Sequence, residues 1–229
     1  MSNRAFLEQY ASPGRIGLAG GTTLIDRVIC RAERHVDEQD KWSKWSHAFL
    51  FEGRRLDGHH WLIESDLDVH RKHIRLGVQE NRLMKYHDES LYTVLAVLDF
   101  GVSAEQANRV LREGLELVAN RTGYSLRELA GTLLALRHPQ LRRRENILAR
   151  DRSLYCSAFV RHVFLKSGFD LLAGIDPKNT TPEDLARSPA PHVMYLLERQ
   201  VAESKLRKLG RRLRRRVRAR IRTTQSKLR

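Results

Sequence analysis

From Ile16 to Phe100 the apolar positions come in short runs broken by turn residues, a pattern of strands. His47 to Phe51 and Trp61 to Glu64 are two such runs, joined by the turn-rich Glu52-Gly53-Arg54-Arg55-Leu56-Asp57-Gly58. Val69 to Val78 is a weaker strand. Tyr92 to Phe100 is the strongest, being rich in β-branched and aromatic residues. Ahead of them stand a turn at Ser12-Pro13-Gly14, a short strand or loop around Ile16 to Leu18, and a helix from about Thr23 to Glu33. After Gly101 the apolar spacing lengthens to three and four. Ser103-Ala104-Glu105-Gln106 is a capping box, followed by Ala107, Val110, Leu111, Leu115 and Val118 on one helical face. A second box, Ser125-Leu126-Arg127-Glu128, opens a helix to about Leu136, which Pro139 stops. A third helix is expected from about Ser153 to Lys166, ended by Gly168. Pro182, Pro189 and Pro191 then mark a loop-rich stretch. Strands first and helices after predict an α+β domain with a small antiparallel sheet, over residues 1–198, with a helical insertion at about 101–152.

Charge changes this picture only at the C-terminus. Arg199 to Arg229 hold 14 Lys or Arg and one acid, Glu203, for a net +13. The chain's total of +15 leaves only +2 for Met1 to Glu198. In the tail Leu206, Leu209, Leu213, Val217, Ile221 and Leu228 recur on one stripe among basic residues, predicting a basic amphipathic helix at 199–229. Its cationic face, with Arg211, Arg212, Arg214, Arg215, Arg216 and Arg218, suits an anionic membrane surface or, by phosphate neutralisation, nucleic acid. The apolar stripe favours the membrane, and no aromatic is interleaved for base stacking. A solvated tail with no specific partner is the plain alternative. No apolar run is long enough to span a bilayer, and Met1 to Tyr10 lacks the apolar core of a secretory signal. Cytoplasmic residence, with peripheral membrane association through the tail, is the expectation.

Two cysteines, Cys30 and Cys156, form no disulfide framework and suit a reducing compartment. Cys30 sits in an amphipathic run and reads as a packed small side chain. Cys156 sits near the start of a helix, where partial positive charge and free N–H groups favour a thiolate. His47 and Glu64 stand on neighbouring strands, where facing positions are within side-chain reach. Thiol, imidazole and carboxylate are the parts of a cysteine-hydrolase triad: nucleophile, acid–base and orienting group. The ten histidines bring no HExxH or paired-cysteine motif, Gly17, Gly20 and Gly21 are followed by no phosphate-binding Lys-Ser/Thr, and no Gly-x-Ser-x-Gly occurs. No metal and no cofactor are expected.

The local wording around these residues resembles the permuted branch of the NlpC-type papain-like cysteine hydrolases, the YiiX/YebB-like group, over roughly residues 12–192. The resemblance rests on Lys44-Trp45-Ser46-His47-Ala48, Trp61-Leu62-Ile63-Glu64-Ser65, Tyr155-Cys156-Ser157-Ala158-Phe159-Val160 and Thr180-Thr181-Pro182-Glu183-Asp184-Leu185. It implies a circularly permuted papain-like fold in which the histidine strand precedes the cysteine helix. It also implies Cys156 as nucleophile, His47 as base and Glu64 as its partner, with Tyr155 and Ser157 beside the oxyanion or substrate. Its substrates would be peptide amides, isopeptides or lipid acyl esters, attacked through a thioester. Ala158 stands where relatives often carry Glu, and the long helical stretch before Cys156 would form a lid or cap. The rival expectation is a non-catalytic binding protein whose basic tail engages nucleic acid or membrane.

Overall fold

The computed structural model describes residues 1–36, 41–68, 75–124, 126–137, 139–146, 148 and 153–199. The basic tail, with Arg211, Arg212, Arg214, Arg215, Arg216 and Arg218, lies outside the described residues, as do Ser125 and positions 69–74.

Six strands form one antiparallel sheet in the order β4-β3-β2-β1-β5-β6. They are β1 (Ile16–Gly21), β2 (His47–Arg54), β3 (His60–Asp68), β4 (Arg75–Arg82), β5 (Tyr92–Asp99) and β6 (Val193–Glu198). The helices are α1 (Asn3–Tyr10), α2 (Leu24–Ala32), α3 (Ala104–Ala119), α4 (Leu126–Ala135), α5 (Pro139–Arg142), α6 (Cys156–Lys166) and α7 (Pro182–Ala186). This is the α+β architecture that the order of patterns predicts.

Both faces of the sheet are buried, which is why its central strands read as continuous apolar runs. Leu18, Ala48, Leu50, Ile63, Ala96 and Leu98 pack toward Phe159, Val160, Val163 and Phe164 of α6. The alternate positions Ala19, Phe49, Phe51, Leu62, Leu95 and Val97 pack on the other side with Phe6 and Leu7 of α1 and with Tyr86. Side chains alternate across a strand, so each run feeds two cores at once.

Several boundaries differ from the sequence expectations. Helix α1, capped by Ser2, was not expected; only Phe6 and Leu7 of its large apolar side chains are buried, too few to show a period. Strand β6 was not expected either, because it is a short edge strand between three prolines and the charged tail. The weak strand expected at Val69 to Val78 is described over Arg75–Arg82, and positions 69–74 lie outside the described residues. Helix α2 is closed at its start by a Thr23–Asp26 capping box, yet Ile29 is its only buried side chain. Helix α6 begins at Cys156 itself, not at Ser153, since Ser153 and Leu154 are tied to the chain at Gly123. Among the described residues no helix is long and apolar enough to cross a membrane.

Candidate active site

His47 opens β2, where the strand is fixed from both sides. The Ser46 N–H donates to the Ala19 carbonyl at 2.9 Å, and the Gly21 N–H donates to Ser46 Oγ at 3.1 Å. Gly20 lets β1 pass this close: a Cβ there would lie 2.2 Å from the Lys44 carbonyl oxygen. The next strand supplies Glu64, fully buried. The register pairs Leu50 with Ile63 and Phe51 with Leu62; carried back, it sets Phe49 opposite Glu64 and His47 opposite Asp66. His47 and Glu64 are therefore diagonal rather than directly facing, and the long carboxylate arm spans the offset. His47 Nε2 meets Glu64 Oε2 at 2.8 Å.

The Glu64 carboxylate is held by more than the imidazole. Asn81 Nδ2 donates to Oε1 at 2.6 Å, Lys85 Nζ donates to Oε1 at 2.5 Å, and the Tyr86 hydroxyl donates to Oε2. Lys85 also donates to Asp66 Oδ2. Tyr86 stacks on Phe49, with ring centroids 4.4 Å apart, and lies over the His47 ring at 6.2 Å. Asp66, Asn81, Lys85 and Tyr86 were not among the residues that the sequence pattern pointed to. The alternation Glu64-Ser65-Asp66 was the available signal, because it puts two carboxylates on one sheet face that needs a cation.

Cys156 is the first residue of α6, and its N-cap, Tyr155, gives no side-chain hydrogen bond to the helix. By contrast Ser2, Thr23, Ser103 and Thr181 cap α1, α2, α3 and α7. The first helical bond of α6 runs from the Phe159 N–H to the Tyr155 carbonyl at 2.8 Å. The amides of Cys156, Ser157 and Ala158 thus carry the partial positive charge of the helix start without a capping side chain. Ser65, the neighbour of Glu64, points to the opposite face and donates to the Leu154 carbonyl. One strand thereby positions both the carboxylate and the backbone leading into the thiol.

The charges follow from this packing. Burial by itself would lower the His47 pKa. The neighbouring Cys156 side chain and the bond to Glu64 outweigh burial and hold His47 well above its ordinary value of 6.5. Since Nε2 is taken by Glu64, Nδ1 is the nitrogen left for the sulfur. Burial would raise Glu64, but Lys85 and His47 hold it far below the usual carboxylate range. Burial would lower Lys85, but Glu64 and Asp66 hold it above its ordinary value. Cys30 is the contrast: burial, with Glu33 and Asp26 adding, pushes its thiol up to about 12. Its Sγ donates to the Trp45 carbonyl at 3.2 Å.

Tyr155 and Ser157 lie beside Cys156, but their hydroxyls are engaged elsewhere. Both donate to the Thr180 carbonyl at 2.7 Å, and Thr132 Oγ1 donates to the Tyr155 oxygen at 2.9 Å. These side chains fasten the Pro177–Asn179 turn and its follow-on to α6. With these hydroxyls engaged, the groups at this end of α6 that could meet an anion are backbone N–H, that of Ser157 included.

His47, Glu64 and Asp66 also place three potential metal-ligand atoms within 4.8 Å of one another. The Lys85 ammonium already stands against both carboxylates and supplies the positive charge there. As arranged, the donor set does not fit a metal ion, which would have to displace Lys85 and compete with Cys156 for His47.

No protein-family model matches the chain, and no curated protein matches it. Among solved structures it is similar in fold to YiiX, a metalloprotein from Escherichia coli O157:H7, with 14% identity and a TM-score of 0.54. The match covers 83% of this chain and 99% of that one.

Proposed function

We propose that this chain is a thiol hydrolase or acyltransferase of the permuted papain-like type, acting on an amide or ester through a thioester on Cys156. The observation that carries the reading is the His47 ring, bonded through Nε2 to a buried carboxylate and interacting with a thiol at an uncapped helix start.

In this mechanism the Cys156 thiolate attacks the acyl carbonyl and forms a C–S bond. The oxyanion is met by backbone N–H groups at the start of α6. As the tetrahedral intermediate collapses, the bond to the leaving group breaks and His47 gives it the Nδ1 proton. Water or an acceptor hydroxyl or amine then attacks the thioester, His47 takes its proton, and the thiol is released. Glu64 keeps Nε2–H as the donor to itself, so the catalytic nitrogen always faces the sulfur. Lys85, Asn81 and Tyr86 hold Glu64 still.

The test is alkylation by iodoacetamide at about pH 6, read by peptide mass spectrometry. Cys156 should label at least 100-fold faster than Cys30, whose thiol stays protonated. An activated acyl ester should leave an acyl mass on Cys156 that Cys156→Ala lacks. Equal slow labelling of both cysteines would sink the proposal and favour the binding-protein reading. Lipid and muropeptide profiles of wild type against Cys156→Ala would then separate lipid esters from peptides as substrates.

A further inference from the structure

The hydroxyls of Tyr86 and Tyr155 are both engaged by the protein: Tyr86 donates to Glu64, and Tyr155 donates to the Thr180 carbonyl. Tyr124 differs. Its hydroxyl has no hydrogen-bond partner among the described residues. Its place is nonetheless fixed, by backbone on both sides. The Val78 N–H donates to the Thr122 carbonyl at 2.8 Å. The Leu154 N–H donates to the Gly123 carbonyl at 3.0 Å, within a parallel bridge between Gly123 and Ser153. Leu154 is held again through its own carbonyl, which accepts from Ser65. Tyr124 therefore runs alongside Leu154, two residues ahead of the thiol. It is partly buried against the core cluster that contains Leu154, Tyr155 and Cys156. Burial raises the pKa of its hydroxyl, with the Cys156 side chain and Asp66 adding, so the group stays a donor.

We infer that Tyr124 is a substrate-binding residue: its ring walls the acyl pocket beside Cys156, and its hydroxyl donates to an acceptor oxygen of the acyl group, a few bonds from the scissile carbonyl. The inference rests on the proposed function and narrows its substrate. Cys156 is only 4% exposed, so an acyl group that reaches its sulfur has to fill the space next to this cluster. Filling that space takes the Tyr124 hydroxyl out of water. A saturated hydrocarbon chain leaves the hydroxyl unpaired, which weakens binding. An acyl group with a second oxygen close to the reacting carbon pairs it. The site therefore selects acyl donors of the second kind and works against plain fatty acyl chains. Tyr124 supplies this selectivity without touching the triad, because its backbone is tied to Leu154 and Val78 rather than to His47 or Glu64.

The experiment compares two nitrophenyl esters of matched chain length, N-acetylglycyl and pentanoyl, on the full chain. Acylation is followed in a single turnover, so the half-saturating concentration reads binding and the plateau reads chemistry. Each rate is divided by that of the same ester with a small free thiol, which cancels intrinsic reactivity. The wild type should prefer the N-acetylglycyl ester by about tenfold, the worth of one hydrogen bond that the pentanoyl ester cannot make. Tyr124→Phe keeps the ring and removes the donor. It should bring the ratio to within about twofold of one, by raising the half-saturating concentration of the N-acetylglycyl ester. A wild type without the preference, or a Tyr124→Phe protein that keeps it, would overturn the inference. So would an equal fall in the plateau rate of both esters, which would give the hydroxyl to the oxyanion or the thiol instead. If neither ester leaves its acyl mass on Cys156, the thiol-hydrolase reading itself fails, and this inference with it.

Discussion

Glu64→Gln isolates what the buried carboxylate does. The amide has the same shape, so no cavity opens, but the negative charge goes. Lys85 loses its 2.5 Å partner at Oε1, His47 loses a charged acceptor at 2.8 Å, and the Tyr86 hydroxyl loses one as well. Hydrogen bonds to charged groups contribute about 1.5–3 kcal/mol each, and opening a buried ion pair costs about 3–5 kcal/mol. A net destabilisation of about 3 kcal/mol is reasonable, which for a domain of this size lowers the thermal midpoint by roughly 6–12 °C. The rate of acylation should fall by about 100-fold to 10,000-fold, because the ring is no longer held in one tautomer. The sign with pH also follows. A raised His47 pKa means the imidazolium's contribution is full below the unfolded value and is lost as pH rises through the folded one. Glu64→Gln should shift that loss to lower pH. For Glu64 itself the contribution is present above its unfolded value and disappears only in strong acid. The decisive arm is the double variant Glu64→Gln with Lys85→Met, which removes both charges. Its midpoint should recover relative to Glu64→Gln alone, measured by circular dichroism, while acylation by a nitrophenyl ester stays low. A folded Glu64→Gln protein with acylation within threefold of wild type would refute the role given to Glu64.

Other substitutions test separate parts of the structure. Glu33 is buried with neither carboxylate oxygen hydrogen-bonded, and burial, with Asp184 and Glu183 adding, raises its pKa. Wild-type stability should therefore fall as pH climbs above the ordinary carboxylate range, and Glu33→Gln should flatten that slope in denaturant titrations. Tyr155→Phe removes the bonds to Thr180 and Thr132 and should cost about 1 kcal/mol in urea unfolding while leaving Cys156 alkylation unchanged. A slowed alkylation would instead give its hydroxyl a direct part in the chemistry. Gly77 has φ +128°, and a Cβ there would sit 2.2 Å from the Thr122 carbonyl that the Val78 N–H donates to. Gly77→Ala should lower the thermal midpoint by several degrees.

The parts of this molecule that were legible in the sequence are those with a local cause. Thr23 and Ser103 announce their helices because a capping box is written within four residues. The β2, β3 and β5 runs are legible because burial on both faces makes them continuous and apolar. Cys156, His47 and Glu64 could be nominated from residue type and setting. Lys85 could not, because its meaning depends on Glu64 and Asp66 arriving beside it from 21 and 19 positions away. The start of α6 was misplaced for a related reason. Ser153 looks like a cap, but tertiary pairing with Gly123 takes it out of the helix. In α2 the apolar Leu24, Ile25 and Val28 face outward: an amphipathic pattern fixes which side chains share a face, and says nothing of whether that face turns in or out.

The contrast between α6 and the capped helices joins the fold to the chemistry. Leaving a helix start without a side-chain cap forgoes about 1 kcal/mol. Here that helix start carries the cysteine whose neighbours are an imidazole and the amides of the first turn, and a capping side chain would occupy those amides and stand where the oxyanion of the proposed reaction would form. The anchoring is supplied from elsewhere: Ser65 grips Leu154 from the sheet, and Tyr155 and Ser157 grip Thr180 from below. The α6 entry is thus rigid without being capped, and rigidity with unsatisfied donors is the condition under which backbone amides can stabilise a developing negative charge.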